Sequence, residues 1–459
     1  MAPRRRPPRS VNRIPTREDR YRGGKALREK VPRRAHARWV APRDRPDPVE
    51  VLRESDRVRV AALVPIRYGR MSTDPLAFLR GSAAVMARDL ASTARTGLRV
   101  QLGGDAHLSN FGIFATPERN EVFDENDFDE TLPGPWEWDL KRLATSLVVA
   151  CRVNRLPRSR GRRAALRALR AYREAMHRYA ALRYLDIWYA HLDPDRISRQ
   201  VARLARRVVD RYARAARVNT SLHIFPRLTR KVGAEYLIRD QPPLIVHYSS
   251  DREAEFTHAL YDRYLTTLSE ERRMLLERYH PVDVAQKVVG VGSVGTRCSI
   301  VLLLGDRATD DPLFLQVKQA LASVLEPYAG ASAYSTHGER VVVGQHLIQE
   351  ASDSLLGWGS LRGEDFYVRQ LRDWKFTADP GTMGPKELTG HGELCGAALA
   401  RAHARTGDPA AICGYLGLKD TFDRAVTAFA EAYADQTARD HAALVAAIRK
   451  GRLPARAEP

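Results

Sequence analysis

The segment GGDAHLSNFG, residues 103–112, and the segment NDFDE, residues 126–130, decide how this chain of 459 residues is interpreted. The first segment contains Asp105 and, five residues later, Asn110, and the second contributes Asp127. Phosphoryl-transfer sites use this spacing, because one aspartate orients or deprotonates a hydroxyl group while the asparagine and a later aspartate bind Mg²⁺. The spacing therefore predicts Asp105 as a catalytic residue and Asn110 and Asp127 as metal ligands.

Asp129, two residues after Asp127, is a candidate second carboxylate ligand. Carboxylate and amide oxygens suit Mg²⁺, which combines one or two carboxylates with phosphate oxygens and water. The alternative is turn formation, because Asp and Asn side chains also cap helices and form Asx-turns. Four such groups in one pair of loops exceed what turns require, so we favour the chemical role.

The flanking sequence places these groups on loops at strand ends. Residues 98–102 alternate as a strand that leads into the first segment, and residues 110–116 and 121–123 predict a short ribbon that ends at the second. Residues 138–153 carry apolar side chains at three-and-four spacing, which predicts a buried helix.

A glycine-rich turn occurs much later, in VVGVGSVGTR, residues 288–297. Its pattern, with Gly290, Gly292 and Gly295, is shared with dinucleotide-binding folds, in which the turn leads into a helix. Residues 296–304 instead favour a strand, so we predict a β-hairpin of the kind that covers nucleotide phosphates. The alternative is a plain hairpin with no ligand.

The next predicted strand, PLFLQVK, ends at Lys318, whose ammonium group suits a phosphate contact. The alternative is a solvent-exposed charge at a strand end. A lysine in the phosphate-binding role needs a carboxylate from a neighbouring helix. The candidates are Glu326, which we include among the cofactor-binding residues, and Glu339, and the sequence does not choose between them.

Three further side chains each allow two interpretations. Asp139 could cap the predicted helix or hold the catalytic loop, and we predict the cap. Arg80 and Arg142 could bind phosphate, but arginine is so frequent in this chain that either could be a surface residue.

Composition restricts the partners. The chain has 75 Lys and Arg against 55 Asp and Glu, a net charge of +20, which would suit a polyanion. Much of the excess is arginine spread along predicted helices, without aromatic residues on basic strands, so we do not expect a nucleic-acid partner. Four isolated cysteines and the lack of a long apolar run predict a cytoplasmic protein without membrane insertion.

Six segments resemble a bacterial family known as domain of unknown function 2252, over about residues 50–445. That family carries no established reaction, so this resemblance implies relatives without implying a substrate. The segments are RMSTDPLAFLRG, GGDAHLSNFG, NDFDETLPGPWEWDLKRLATSL, VGVGSVGTR, LQVKQA and YVRQLRDWK.

A more distant resemblance implies a reaction. GDAHLSN is similar to the GDLHPGN-type loop of aminoglycoside- and choline-kinase-like phosphotransferases, within the protein-kinase-like superfamily, and NDFDE is similar to their metal-binding IDFD segment. The resemblance implies ATP and Mg as cofactors and the following roles: a base at Asp105, metal ligands at Asn110 and Asp127, a phosphate lysine at Lys318, and a phosphate cover at Gly290, Gly292 and Gly295. Gly103 departs from the pattern, because those enzymes usually have His there.

The order of the segments is a second departure, because the small lobe follows the catalytic loop. LARAHAR, residues 399–405, is similar to the helix that normally precedes that loop. We therefore expect an α+β, two-lobed protein-kinase-like fold with circularly permuted connectivity, which neighbouring chain termini allow.

Four regions follow from this expectation. Residues 1–45, rich in Arg and Pro, are predicted to be a disordered arm. Residues 46–282 would form a helical large lobe, residues 283–376 a small β-rich nucleotide-binding lobe, and residues 377–450 the helices that complete the large lobe.

The expected function is an ATP- and Mg-dependent phosphotransferase that acts on an unidentified hydroxyl-bearing acceptor, which we expect to be a small molecule. The alternative is a catalytically inactive kinase-like nucleotide sensor or scaffold. A metallophosphoesterase would need further His-rich segments, and a nucleic-acid-binding protein would use the basic surface. The acceptor, the choice of ATP or GTP, and the oligomeric state stay open.

Overall fold

The computed structural model describes residues 14–190, 203–233, 235–248, 251–305, 311–371 and 374–456. Its mixture of helices and several sheets confirms the predicted α+β class. The helices are α1 Arg17–Lys30, α2 Pro48–Asp56, α3 Val64–Met71, α4 Pro75–Gly81, α5 Ala83–Ala91, α6 Glu137–Val153, α7 Arg158–Ala180, α8 Tyr184–Trp188, α9 Arg203–Arg217, α10 Ser221–Leu228, α11 Asp251–Leu265, α12 Glu270–Leu276, α13 Glu326–Ala329, α14 His337–Ile348, α15 Pro385–Thr406, α16 Pro409–Leu416 and α17 Thr421–Arg449. The strands are β1 Arg99–Leu102, β2 Phe111–Ala115, β3 Glu121–Glu125, β4 Leu132–Pro135, β5 Thr229–Val232, β6 Glu235–Ile238, β7 Ile245–His247, β8 His280–Lys287, β9 Cys298–Leu304, β10 Pro312–Ala320, β11 Gly357–Leu361, β12 Glu364–Gln370 and β13 Phe376–Thr377.

The long helices α6, α7, α15 and α17 surround the largest apolar core. The predicted helix over residues 138–153 is confirmed as α6, and Leu140, Leu143 and Leu147 on it are buried, as their spacing requires. Burial of each such side chain contributes about 1.5–3 kcal/mol. This core supports the strands and loops that carry the first two motifs.

Six strands form an antiparallel sheet in the order β11, β12, β10, β9, β8, β7. Period-two alternation gives the sheet two different faces. Val301 and Leu303 of β9 pack in a cluster with residues of α11, whereas Ile300 and Leu302 pack in a cluster with residues of α10. The strands predicted within residues 283–305 and 312–317 are therefore confirmed as β8, β9 and β10, of which β9 and β10 are buried and β8 is largely half-buried.

The same alternation places polar side chains of β10 and β12 on one face of the sheet, near the predicted site. Lys318 and Gln316 are two residues apart on β10, and β12 places Tyr367 directly opposite Lys318 and Arg369 directly opposite Gln316. The Lys318 ammonium lies 5.7 Å from the centroid of the Tyr367 ring. These side chains share one face, which is the face that carries the predicted phosphate lysine.

The predicted ribbon after the first motif is confirmed. β2 pairs with β3 from Phe111 opposite Glu125 to Ala115 opposite Glu121, and β13 adds a third strand beside β2. β1, which leads into the first motif, pairs with β4. Both motifs therefore lie on loops at strand ends, as the sequence indicated.

The prediction of a disordered arm over residues 1–45 is wrong for the part that the structure describes. Helix α1 begins at a capping box formed by Thr16 and Asp19 and packs against α16. Arg28 donates hydrogen bonds to the carbonyl oxygens of Gly414 and Tyr415 at the end of α16. Arg28 therefore caps the C-terminal end of α16, a role that composition alone does not reveal. Residues 1–13 of the predicted arm lie outside the described residues.

The predicted boundaries of the β-rich region also change. Position 283 falls inside β8, and the sheet already includes β7, so the sheet begins before the predicted boundary.

In the part of the chain that the structure describes, none of the helices combines the length and the apolar character needed to span a bilayer.

Candidate active site

Asp139 of α6 binds the backbone of the first motif. Its carboxylate accepts hydrogen bonds from the amides of Gly103 at 2.9 Å and Gly104 at 3.1 Å, and Nε2 of His403 lies 3.3 Å from the same carboxylate. Asp139 therefore holds the loop, and the predicted helix-capping role is wrong. Gly104 has a φ of +86°, and a Cβ there would overlap the carbonyl oxygen of Glu130, so the turn requires glycine.

Asp105 follows this turn and faces the cleft with 15 % of its side chain exposed. Nε and Nη2 of Arg142 lie 2.7 and 2.6 Å from its Oδ1, and Nε2 of His107 lies 3.7 Å from Oδ2. Burial raises the pKa of Asp105 to about 7, although Arg142 opposes the shift. A carboxylate that titrates near neutrality suits a general base.

Asn110 and Asp127 are brought together by the ribbon of β2 and β3. The Asn126 amide donates to the carbonyl oxygen of Asn110 at 2.8 Å, which joins the two motifs where the ribbon ends. The Asn110 side-chain amide donates to the carbonyl oxygen of Asp105 at 2.8 Å. Oδ1 of Asp127 is buried without a hydrogen-bond donor, so it is available to a cation.

Lys318 reaches the second motif from the sheet. Its ammonium group pairs with Oδ2 of Asp129 and lies 3.7 Å from Oδ1 of Asp127. Burial disfavours the charged lysine, but Asp127 and Asp129 outweigh it and hold the pKa of Lys318 well above its usual value. Burial likewise opposes ionisation of Asp129, yet Lys318 and the Tyr367 hydroxyl, which donates to Oδ1 at 2.8 Å, lower its pKa.

The glycine turn between β8 and β9 lies over these groups. Gly290 and Gly292 line a cavity of about 100 Å³ together with Asp105, Asp127 and Lys318. Gly295 has a φ of +92° and packs against Arg59, and it does not line that cavity. The structure therefore brings two of the three predicted glycines to the site and gives the third a role in the turn.

Neither Glu326 nor Glu339, the two candidate partners of Lys318, pairs with it. Oε1 of Glu326 accepts from the Ser323 amide at 3.1 Å and lies 3.8 Å from Nδ1 of His337. Glu339 accepts from the Ser335 hydroxyl at 2.9 Å. The carboxylate partner of Lys318 is Asp129, which the sequence assigned to the metal instead.

Arg340 of α14 is a site residue that sequence reasoning missed. Its guanidinium is fully buried and donates to the carbonyl oxygens of Thr131, Asp129 and Leu321 at 2.7–2.8 Å. It fixes the backbone of the second motif against the start of the loop that follows β10. In a chain this rich in arginine, no sequence signal distinguishes Arg340 from surface arginines.

Glu125, the last residue of β3, was also missed. Both carboxylate oxygens are buried without a donor, and a Cβ on Gly103 would overlap them. Burial, with the nearby Asp139 and Asp124, raises the pKa of Glu125 well above its usual value. The Glu125 carboxylate thus lies in the space that a Cβ at position 103 would occupy.

Asp127 and Asn110 could supply part of the coordination shell of one cation, with phosphate oxygens and water as its other ligands. Within the described residues, no three His, Cys, Asp or Glu side chains converge as a metal cage. The unsatisfied Oδ1 of Asp127 and the nearby Asn110 are oxygen ligands of the type that Mg²⁺ combines with phosphate oxygens and water. Asp129 is committed to Lys318 and Tyr367, so it is a weaker candidate ligand than the sequence suggested.

Comparisons with known proteins give a family and no function. Residues 59–447 match the family model described as "Uncharacterized protein conserved in bacteria (DUF2252)", and this range contains all the site residues described above. No curated protein and no solved structure matches the chain.

Proposed function

The chain belongs to this bacterial family, and we propose that it is an ATP- and Mg²⁺-dependent phosphotransferase that acts on the hydroxyl group of a small molecule. One observation carries the proposal: Asp105, Asp127, Lys318 and the glycine turn surround one cavity, although more than 150 residues separate the two motifs from the turn. Phosphoryl transfer uses these four parts together: a base, a metal ligand, a point charge and a turn that covers the phosphates.

The resemblance to kinase-like phosphotransferases is supported by the order of elements around the cavity. The glycine turn joins β8 and β9, Lys318 follows on β10, and α14 packs against β10 and β12. Helix α15 contains LARAHAR, and His403 on it contacts Asp139, which holds the catalytic loop. These contacts are those we expect if a kinase-like fold is circularly permuted, which is part of the proposal.

The residues divide the reaction between them. The acceptor oxygen forms a bond to the γ-phosphorus of ATP, the bond from that phosphorus to the β–γ bridging oxygen breaks, the hydroxyl proton passes to Asp105, and ADP leaves. Lys318 neutralises charge on the phosphates after it leaves Asp129. Asp127 and Asn110 would hold Mg²⁺, which supplies charge neutralisation when bound.

A second candidate function, a nucleotide sensor or scaffold, is favoured by one observation. Oδ1 of Asp105 is held by two nitrogens of Arg142, and a carboxylate oxygen held in this way is a poorer base. A sensor would bind ATP through Lys318 and the glycine turn and would not consume it.

Calorimetry and turnover together separate these functions. For the phosphotransferase we expect ATP binding that strengthens with Mg²⁺, and ATP consumption that Asp105→Asn abolishes without weakening nucleotide binding. Asp186→Asn is the matched control, because that half-buried side chain pairs with Arg183, three residues earlier, outside the cavity. Tight binding without consumption by the unsubstituted protein would favour the sensor, and unchanged consumption by Asp105→Asn would remove the assignment of the base.

A further inference from the structure

Arg80 is a cation of the cleft that the proposed reaction does not use. It is the penultimate residue of α4, which Asp74 caps by accepting from the amides of Leu76 and Ala77 at 2.7 and 2.9 Å. The Arg80 carbonyl oxygen approaches Gly292, and its side chain lines the site cavity together with Asp105. The N-terminal helices therefore deliver this guanidinium directly to the catalytic loop.

The neighbouring cations already have partners. Arg142 donates to Asp105 and to the carbonyl oxygen of Leu79, and Arg67 pairs with Asp56 and donates to the carbonyl oxygen of Gly81. Arg369, on the sheet side, donates to Gln316 and to the carbonyl oxygen of Asn126, and Arg59 donates to that of Val294. These guanidinium groups are fixed by the protein itself.

Arg80 differs from them, because no hydrogen bond or ion pair of its side chain occurs among the residues that the structure describes. Its side chain is half-buried, and its Nε is buried without a hydrogen-bond partner, as are those of Arg59 and Arg67. The desolvation of such a guanidinium is a cost that a bound anion would offset. Burial also lowers the pKa of Arg80, while the charge of Asp105 opposes this shift. The side chain is placed where an anion would stabilise it.

The position of Arg80 indicates which anion. The cavity beneath the glycine turn contains Lys318 and Gly290, which serve the nucleotide in the proposed function. Arg80 also lines a second cavity, of about 60 Å³, which has neither Lys318 nor Gly290 in its wall. This cavity shares Asp105, Asp127 and Gly292 with the first, and it adds Asp129, Glu130, Arg59 and Arg67. An acceptor that presents its hydroxyl group to Asp105 from this second cavity has Arg80 beside it.

We propose that Arg80 binds an oxyanion, a phosphate or carboxylate group, of the acceptor, so that the substrate class is an anionic hydroxyl compound. This inference rests on the proposed function for the identity of the acceptor. The planar fork of the guanidinium can bind such a group through two nitrogens. The same chemistry could come from the terminal phosphate of the nucleotide, and the experiment separates the two sources.

The test measures binding of inorganic phosphate and of ATP with Mg²⁺, each separately, to the full chain and to three variants by calorimetry. Arg80→Met removes the cation, Arg80→Lys keeps the charge without the fork, and Arg57→Met removes an exposed arginine nearby as the control. We expect Arg80→Met to weaken phosphate binding about tenfold or more, Arg80→Lys to weaken it less, and Arg57→Met to change it less than about twofold. ATP affinity should stay within about twofold in all variants.

Two results would overturn the inference. Loss of ATP affinity in Arg80→Met with phosphate binding intact would assign Arg80 to the nucleotide, and unchanged binding of both probes would make it a structural residue. Melting curves confirm that each variant is folded, and Arg80→Lys carries the test if Arg80→Met is not. If the unsubstituted chain binds phosphate through Arg80 but does not bind ATP, the proposed function fails while the anion site stands.

Discussion

At the scale of single residues, the catalytic role that we propose for Asp105 predicts a pH dependence. Because burial raises the pKa of Asp105 to about 7, a base at this position is protonated and inactive below that pH and ionised above it. We expect kcat/KM for ATP consumption to rise as pH increases through about 7. A pH–rate profile measures this, and a profile that is flat across neutrality would contradict the assignment.

Gly104 gives a prediction about the catalytic turn. Gly104→Ala would combine the strain of positive φ with overlap of its Cβ and the Glu130 carbonyl oxygen. Gly97 is the matched control, because it has the same φ of +86° with open space around its Cβ position. We expect Gly104→Ala to lower the free energy of unfolding by more than Gly97→Ala, which itself should cost about 1–2 kcal/mol. Equal losses in chemical denaturation would show that the overlap is relieved at no cost.

The residues of the site differ in how far sequence could identify them. Asp105, Asn110, Asp127 and Lys318 lie in motifs whose spacing follows from the chemistry they share, and the structure brings them to one cavity. The side chains that contact these residues only through the three-dimensional fold could not be predicted from spacing. The partner of Lys318 is an aspartate of the second motif, and the arginine that fixes this motif comes from α14.

At the scale of elements, the docking of α1 depends on close backbone approach. A Cβ on Gly24 would overlap the carbonyl oxygen of Ala411 in α16, whereas the position of Gly23 is open. We expect Gly24→Ala to undock α1 and expose its arginines to trypsin, and Gly23→Ala to leave the cleavage rate unchanged or lower it, because alanine favours helix. Limited proteolysis followed by mass spectrometry measures both rates, and equal protection of the two variants would contradict this packing.

The glycine turn is held by the N-terminal helices. Arg59 donates to the carbonyl oxygen of Val294 at 2.6 Å, and the Val60 amide donates to that of Gly295 at 2.7 Å. We expect Arg59→Met to speed hydrogen exchange in residues 289–297, because the turn loses one of its external bonds. Exchange in β10 serves as the internal reference. An unchanged ratio between the two segments would show that Arg59 does not restrain the turn.

Elements with strong periodicity were predictable, and those without it were not. Alternation identified β1, runs of apolar residues identified β9 and β10, and three-and-four spacing identified α6. β7 has only three residues, too few to show a period, yet it is the edge of the large sheet. Helix α1 has one buried residue, Gly24, so its stability comes from caps and backbone contacts that apolar patterns do not record.

At the scale of the whole molecule, several arginines serve the interior. Arg45 pairs with both Asp89 and Asp440, Arg173 pairs with Asp423, and the fully buried Arg401 pairs with Asp124. Each of these pairs cancels positive charge with carboxylate charge, so the net charge of +20 is carried by the other side chains of the chain.

The proposed function requires nucleotide phosphates to lie between the two motifs and the glycine turn. A crystal structure of the full chain with a nonhydrolysable ATP analogue and Mg²⁺ would show whether they do. We expect phosphates beneath Gly290 and Gly292, Lys318 turned from Asp129 to a phosphate oxygen, and the metal on Asp127 and Asn110. An analogue bound elsewhere, with the pair of Lys318 and Asp129 intact, would contradict the proposed function.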